Sequence, residues 1–373
     1  MNNRAMGFGL KKNLTRTKAQ AHKKRTENAS TSNPVRVLSL FAGCGGMDYG
    51  AHLAGGQTIW ANECNRWAVQ TYERFFKKTK LVPDPIERVN LDRDLPKKGQ
   101  VEVILGGFPC QDFSMIWKRP GLKGTRGNLY TYFVDIVQRL EPLAFIAENV
   151  KGLLSANQGK AIETIISDFN TCGYELNQDD LVYNFAEYGT PQLRERVLII
   201  GIRKDLGIKF ERPPRTHAPK DKAKILGRLP YKDAKTALRG VEKVKFNNEH
   251  QNIKKSTTEL LKLIPPGGNF TSVPQDHPQY VKGMISHVYR RLHPHQPSTT
   301  IIAGGGGGTW GYHYEQPRSL TNRERARLFD FPDDMEFFGP IGEVRRQIGN
   351  AVPPSGIRPV AQKLFELIEP FRK

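Results

Sequence analysis

Short apolar runs, each about the length of a buried β-strand, alternate with amphipathic stretches between residues 35 and 207. The runs that predict strands are VRVLSLF (35–41), QTIWAN (57–62), VEVILGG (101–107), LAFIAEN (143–149), YELNQDDLVY (174–183) and ERVLIIGIRKDL (195–206). Helical periodicity fills four of the intervals, at residues 46–54, 66–76, 128–142 and 159–173. Because strands alternate with helices, the pattern predicts an α/β fold built on a parallel or mixed sheet.

The regular alternation stops near residue 207. Residues 208–315 are rich in Pro, Lys, Gly and His and contain few long periodic segments, which indicates a separate, loop-rich domain. Two helical patterns follow, at residues 320–329 and 360–371. The first 33 residues lack a sustained apolar periodicity, and we expect them to form a flexible tail.

The charge balance favours a polyanionic partner. The 373-residue chain carries a formal net charge of +20, and nucleic acid is the commonest partner of such a surface. Residues 1–33 hold eight Lys or Arg against the single Glu27, so most of the excess belongs to the rest of the chain. No apolar run is long enough to span a membrane and no secretory signal is recognisable. The four cysteines lie far apart, which argues against a disulfide framework or zinc site and suits a reducing cytoplasm.

The turn after the first predicted strand is rich in small residues, FAGCGG (41–46). Small residues let a ligand approach the backbone at the start of the following helix. Glu63 follows Gly43 by twenty residues and ends the second predicted strand, where an acidic group suits ribose hydroxyls. These features are typical of a nucleoside-cofactor site but do not identify the nucleoside.

Four further segments carry chemistry. GGFPCQDFS (106–114) places Cys110 on a turn after a strand, and AENV (147–150) places Glu148 at the end of the next one. QLRER (192–196) offers Arg194 and Arg196, two residues apart and therefore on one side of a strand. QIGNAVPP (347–354) is predicted to be a polar turn before the last helix.

These segments, with RSLTNRERARLFDFPDDM (318–335), resemble in sequence and order the cytosine-C5 DNA methyltransferase family. The resemblance runs from Val35 to the end of the chain, except for the variable residues 208–285. It implies a Rossmann-like S-adenosylmethionine-dependent methyltransferase sheet flanked by helices, with a smaller loop-rich target-recognition domain. The implied organisation is a basic tail (1–33), a catalytic and cofactor-binding domain (34–207), a target-recognition domain (208–340) and a C-terminal segment (341–373) that completes the catalytic domain.

The resemblance assigns the catalytic roles. The thiolate of Cys110 would add to cytosine C6, so that C5 becomes nucleophilic enough to take a methyl group from S-adenosylmethionine. Glu148 would bind N3 and the exocyclic amine, Arg196 would donate to O2, and Arg194 would support the pocket electrostatically. The cytosine must be flipped out of the duplex, and residues 114–128 resemble the mobile loop that closes over it.

The resemblance also implies the binding residues. Those expected at the S-adenosylmethionine pocket are Phe41, Ala42, Gly43, Gly45, Glu63, Asn90, Pro109, Leu129, Asn350 and Val352. Two positions depart from the family pattern: Cys64 stands where relatives often have Trp, and either Asn90 or Asp92 stands where relatives often have an Asp toward the adenine amine.

The target-recognition landmark of the family, Thr-Leu before a glycine-rich loop, corresponds here to Thr300-Ile301 before five glycines (304–308). Upstream of it, SHVYRR (286–291) offers aromatic and basic groups for bases and phosphates. The residues expected to face DNA are Ser114, Arg126, Ser286, Tyr289, Arg290, Arg291, Thr300 and Gly305. His293 and His295 have no further ligand in the sequence, and no metal is expected.

The sequence therefore predicts a monomeric bacterial cytoplasmic enzyme that methylates C5 of cytosine in a specific duplex DNA sequence. Its compact organisation favours a setting beside a cognate restriction endonuclease. Two alternatives remain at this point: a tRNA cytosine-5 methyltransferase, and a DNA-binding regulator without catalysis, against which the presence of Cys110, Glu148, Arg194 and Arg196 argues.

Overall fold

A mixed β-sheet is the framework of the protein. The computed structural model describes residues 33–109, 129–280, 282–283, 288–304 and 310–373, and residues 35–373 form one compact unit. Within the described residues, eight strands form the central sheet: β1 (Val35–Leu40), β2 (Gly56–Asn62), β3 (Lys80–Val82), β4 (Val103–Gly107), β5 (Ala144–Val150), β6 (Tyr174–Leu176), β7 (Val182–Asn184) and β8 (Glu195–Arg203).

The strand order contains a switch point between β1 and β4. The order is β3-β2-β1-β4-β5-β8-β6, with β7 also paired to β8. The pairings from β3 to β5 are parallel, whereas β8 runs antiparallel to β5, β6 and β7. The chain leaves β1 toward β2 but later returns to β4 on the other side of β1. Ligands of open α/β sheets bind beyond the carboxyl ends of the strands at such a switch point.

Helices cover both faces of the sheet because alternate strand residues point to opposite sides. They are α1 (Gly46–Leu53), α2 (Arg66–Phe75), α3 (Leu91–Asp94), α4 (Leu129–Leu140) and α5 (Lys160–Thr171). On one face Leu38 and Ile104 belong to a core with Phe133 of α4 and Phe169 of α5. The opposite core includes Val37 and side chains of a long C-terminal helix. The sheet is thus buried on both sides.

Residues 208–340 contain short elements. The strands form two two-stranded sheets: β9 (His217–Ala218) with β10 (Leu229–Pro230), and β11 (Arg290–Arg291) with β12 (Trp310–Tyr312). The helices are α6 (Lys220–Ala223), α7 (Ala234–Leu238), α8 (Lys255–Leu263) and α9 (Asn322–Leu328). Two further apolar clusters, one around Phe329 and one around Phe270, stabilise this part of the chain.

The C-terminal region contains α10 (Ile341–Asn350) and α11 (Pro354–Ile368). The prediction of a polar turn over residues 347–354 was therefore partly wrong: the first four of these residues end a helix, and the turn itself is short. Helix α11 begins six residues before the predicted start, with Pro354 at its first position, where a missing N–H costs nothing.

The predicted α/β class, with a central sheet covered by helices, is confirmed. Strand β3 was missed because three residues show no periodicity, and the segment 174–183 forms two strands rather than one. Across the described residues, no helix is both long enough and apolar enough to cross a membrane.

Candidate active site

The turn between β1 and α1 lies at the switch point of the sheet. Gly43 (φ 57°) and Gly45 (φ 85°) both adopt left-handed conformations that disfavour any side chain. A Cβ built on Gly46 would lie 2.3 Å from the backbone oxygen of Val352, so the turn is packed closely against the C-terminal segment. The structure thus brings the glycine-rich turn together with Val352, another residue predicted to line the cofactor pocket.

Glu63 fixes the shape of this turn. Its Oε2 accepts a hydrogen bond from the Gly43 N–H at 2.8 Å, and its Oε1 accepts one from the Asn65 N–H at 2.7 Å. The neighbouring Ala42 N–H donates to the carbonyl of Asn62 at 3.0 Å. Each carboxylate oxygen keeps a second lone pair, so Glu63 can still accept from a ligand hydroxyl. Cys64 beside it is exposed.

The C-terminal segment contacts the same turn from the other side. The thiol of Cys44 donates to the carbonyl of Gln347 at 3.6 Å, and burial raises its pKa well above the ordinary range. Asn350 is exposed at the end of α10, and Val352 is buried. Of these two residues, Val352 has its backbone against Gly46 of the glycine turn, and Asn350 lies two residues before it.

Asn90 and Asp92 both use side-chain oxygens in contacts within the protein. The Asn90 Oδ1 caps α3 by accepting from two backbone N–H groups, and the Asp92 carboxylate pairs with Arg139. The segment that reaches the end of β2 is instead residues 82–84, because the Asn62 amide donates to the carbonyls of Val82 (3.1 Å) and Asp84 (2.7 Å). Asp84, which was not among the predicted site residues, follows the short apolar segment of β3.

Strand β4 leads directly to the expected nucleophile. Asn149 of β5 donates its amide N–H to the carbonyl of Phe108 at 2.9 Å and so holds the end of β4. Pro109 is exposed immediately after it, and Leu129 begins α4. Cys110 and the loop residues Ser114 and Arg126 lie outside the described residues.

Glu148 and Arg196 form an ion pair at this edge. The Arg196 Nε lies 3.0 Å from the Glu148 Oε1, and both side chains are nearly buried. Burial raises the pKa of Glu148, while the charges of Arg196 and Arg194 act in the opposite direction. A Cβ built on Gly107 would lie 2.9 Å from the Glu148 Oε2, so glycine on the adjacent strand leaves room for the carboxylate.

Arg194 has a different environment, although it is two residues from Arg196. Its guanidinium donates to the carbonyls of Ile301 (3.1 Å), Gly349 (2.9 Å) and Ala351 (3.0 Å). Its side chain is 1% exposed, and burial, helped by the charge of Arg196, lowers its pKa to about 9. Arg194 therefore affects Glu148 only through its charge and holds backbone segments together.

Among the predicted DNA-facing residues, Thr300, Tyr289 and Arg290 are half-buried, whereas Arg291 is buried. Thr300 is half-buried and donates its hydroxyl to the carbonyl of Leu193 at 2.7 Å, which anchors Thr300 to the residue before Arg194. Tyr289, with φ 52°, and Arg290 are half-buried at the β11 end. Ser286 and Gly305 lie outside the described residues.

The environment of Arg291 does not fit the predicted contact with a DNA base. It is 7% exposed, and its guanidinium donates to the carbonyls of Leu261, Ile264, His313 and Tyr314 at 2.7–3.1 Å. A side chain committed to four backbone acceptors cannot also reach a base edge without breaking them. Arg291 therefore holds the second part of the chain together. Among the described residues, no group of three or more His, Cys, Asp or Glu side chains could hold a metal ion.

Comparison with solved structures agrees with this architecture. A prophage-encoded protein of E. coli, described as a DNA modification methyltransferase, superimposes with a TM-score of 0.67 at 23% identity, over 90% of this chain and 99% of that one. The S. pombe Dnmt2 methyltransferase gives a TM-score of 0.58 at 17% identity, over 91% and 100% of the two chains. The fold is that of the methyltransferases.

Sequence comparison identifies the family. The chain belongs to the C-5 cytosine-specific DNA methylases, whose profile matches residues 35–366. It is 53% identical to the type II methyltransferase M.NgoFVII of Neisseria gonorrhoeae, over 91% of this chain and 88% of the relative. It is 42% identical to M.BbvI of Brevibacillus brevis, over 90% and 92%. The protein is accordingly a DNA (cytosine-5-)-methyltransferase that uses S-adenosylmethionine.

Proposed function

We propose that the crevice beyond β1, β4 and β5 binds S-adenosylmethionine at its β1–β2 side and a flipped-out cytosine at its β4–β5 side. The observation that carries this proposal is the Glu148–Arg196 pair, because it places a carboxyl and a guanidinium beside the strand that leads to Cys110. The two groups match the polar edge of cytosine: a carboxyl for N3 and the amine, and an N–H donor for O2.

The cofactor side fits its ligand by shape and by chemistry. A Cβ built on Gly43 would meet nothing within 4 Å, so the backbone of the turn is open at this residue, and the Glu63 carboxylate adjoins it as a hydroxyl acceptor. We propose Phe41, Ala42, Gly45, Pro109, Leu129, Asn350 and Val352 as the remaining lining. Asp84, rather than Asn90 or Asp92, is the acidic residue that we propose near the far end of the nucleoside.

The proposed chemistry begins at Cys110. Its thiolate adds to C6 of cytosine, and the electron pair of the C5–C6 bond moves toward C5 while Glu148 donates a proton or a hydrogen bond at N3. Arg196 donates to O2 and stabilises the charge that develops on the ring. S-adenosylmethionine supplies the electrophilic methyl group that C5 takes up. Loss of the C5 proton to a base, return of the N3 proton to Glu148 and departure of the thiolate from C6 then restore the aromatic ring.

The reaction can be tested with labelled S-adenosylmethionine and three substrates: mixed-sequence duplex DNA, the same DNA carrying 5-methylcytosine, and bulk tRNA. Label is expected in the unmethylated DNA alone, as 5-methylcytosine, and sequencing of the product gives the target site. Label in tRNA alone would keep the chemistry and replace the substrate. Absence of label with retained DNA binding would favour the regulator.

The role of Cys110 has its own test. The Cys110→Ser variant should lose methyl transfer and retain DNA binding, whereas Cys172→Ser, at the end of α5, should remain active. Duplex DNA in which fluorine replaces the C5 hydrogen of the target cytosine should give a denaturant-resistant adduct, because fluorine cannot leave as the proton does. An active Cys110→Ser enzyme would refute the assignment.

We further propose that the enzyme acts as a monomer beside a cognate restriction endonuclease. The support for the endonuclease is the similarity to M.NgoFVII and M.BbvI, both of which are named type II methyltransferases. DNA from cells that express the protein should resist a nuclease that cuts the target sequence in its unmethylated form. Light scattering should give the mass of one chain, 42.2 kDa.

A further inference from the structure

Arg194 joins two segments that the proposed function assigns to different ligands. The Ile301 carbonyl that it binds belongs to the recognition segment, residues 300–304, whereas the Gly349 and Ala351 carbonyls belong to the cofactor-side segment, residues 349–352. These acceptors are 107, 155 and 157 residues from Arg194 along the chain. One buried side chain therefore fixes the distance between the two segments.

The two segments also touch each other directly. A Cβ built on Gly349 would lie 2.4 Å from both N and Cα of Ala303 and 2.6 Å from the carbonyl carbon of Ile302. All three atoms belong to the backbone, so no rotation of a side chain could relieve the contact. The recognition segment and the end of α10 are thus packed backbone against backbone.

Further contacts continue in both directions. On the recognition side, the Ile301 N–H donates to the Gln192 Oε1 at 3.1 Å, and the hydroxyl of Thr300 donates to the Leu193 carbonyl. On the cofactor side, the backbone oxygen of Val352 lies against Gly46 in the glycine turn. An uninterrupted series of tight contacts therefore connects the glycine turn with residues 300–303.

We infer that Arg194 and Gly349 form a joint through which cofactor binding and DNA binding strengthen each other. The inference rests on the proposed placement of both ligands. A ligand that fixes the glycine turn also fixes residues 349–352 and, through Arg194, the recognition segment. Arg194 is a positioning residue in this arrangement, since it acts on DNA and cofactor through the backbone that it holds.

The measurable quantity is the coupling factor, the ratio of DNA affinities with and without bound cofactor product. Coupled sites typically show factors of about 5–150, and linkage requires DNA to raise cofactor affinity by the same factor. The probe is a fluorescent duplex that carries the sequence methylated in the labelling experiment, titrated by anisotropy with and without saturating S-adenosylhomocysteine. Calorimetry of S-adenosylhomocysteine binding, with and without the duplex, gives the reciprocal value.

Gly349→Ala is the decisive variant, and Gly342→Ala is its matched control. Both glycines lie on α10, but a Cβ on Gly342 meets nothing within 4 Å. Gly342→Ala should keep the wild-type factor, whereas Gly349→Ala should lower it at least several-fold, toward 1. Arg194→Lys, which keeps a positive charge but cannot span three carbonyls, should have the same effect. A merely structural defect would weaken both affinities and leave their ratio unchanged.

Thermal unfolding of each variant shows whether it folds. If neither Gly349→Ala nor Arg194→Lys folds, Thr300→Val removes the bond to Leu193 near the protein surface and should lower the factor by itself. The inference would be wrong if the coupling factor were unchanged in the folded variants, or if the wild type bound both ligands with a coupling factor of 1. Failure of the wild type to bind either ligand would instead overturn the proposed function.

Discussion

The Nε of Arg196 lies 3.0 Å from the Oε1 of Glu148, although the two residues come from antiparallel strands and are 48 positions apart in the sequence. The register of β5 and β8 places Glu148 opposite Leu198 and Val150 opposite Arg196. The ion pair therefore fixes the two side chains relative to each other at the end of β5, where the proposed mechanism uses both.

Glu148→Gln tests the acid. The amide keeps the size of the side chain but cannot donate a proton to N3, so kcat should fall by roughly 10²–10⁴ while DNA and cofactor binding persist. Glu195→Gln is the matched control, because Glu195 is exposed on the same sheet edge and, among the described residues, its carboxylate pairs with Lys151 at 2.9 Å. Single-turnover methyl transfer measures both. Normal rates in Glu148→Gln would remove the residue from the mechanism.

The pH profile tests the raised pKa of Glu148. Burial favours the protonated acid, so kcat/KM should decrease as the pH rises through that raised pKa. Arg196 lowers the pKa of Glu148, so Arg196→Gln should shift this decrease to higher pH in addition to slowing the reaction. A shift to lower pH would show that another group titrates.

The raised pKa of Glu148 also predicts that the free energy of unfolding decreases as the pH rises. A carboxyl whose pKa is raised by folding stabilises the protein below its ordinary pKa, and this contribution is lost as the pH rises through the raised value. Denaturant unfolding of the ligand-free enzyme should show this loss, and Glu148→Gln should show less of it.

Glu63→Gln tests the cofactor turn. The amide offers one acceptor oxygen where the carboxylate offers two, so the N–H of Gly43 or of Asn65 loses its partner. An unsatisfied donor costs about 1–3 kcal/mol, and we expect cofactor affinity to fall about tenfold. Calorimetry with S-adenosylhomocysteine measures it. Glu73→Gln, exposed on α2, should bind as the wild type does; equal affinities in the two variants would contradict the assignment.

Arg291 and Arg290 should give opposite phenotypes. Arg291→Met leaves four carbonyls without their donor and should lower the free energy of unfolding by roughly 2–4 kcal/mol, with sequence specificity unchanged in whatever folds. Arg290→Met should affect DNA binding more than stability if Arg290 faces DNA, as the sequence predicts. Thermal unfolding and anisotropy distinguish the two, and a specificity change in Arg291→Met would argue for a base contact.

DNA affinity should depend steeply on salt. The net charge of +20 implies contacts to several phosphates, and an enzyme that neutralises six or more should lose about 10³ in affinity between 50 and 200 mM salt. Removal of residues 1–33 should reduce the slope if the tail contributes and leave it unchanged otherwise. A flat response of the full chain would contradict extensive phosphate contact.

Much of the site could be predicted from sequence because its chemistry is local to strand ends. A run such as VRVLSLF followed by FAGCGG specifies a buried strand, a tight turn and an exposed backbone within a dozen residues. Parallel strands bring their carboxyl ends to one edge of the sheet, so the sequence alone could predict that Gly43, Glu63 and Glu148 lie at the same edge.

The tertiary structure decided what each arginine does. Arg196 and Arg194 are two residues apart on one strand, yet one meets a carboxylate and the other three backbone carbonyls more than 100 residues away. Arg291 was predicted to face DNA, but its guanidinium donates to four backbone carbonyls inside the protein. Local sequence determines which face of an element is buried, whereas the partner of a long polar side chain is chosen by distant segments that meet only after folding.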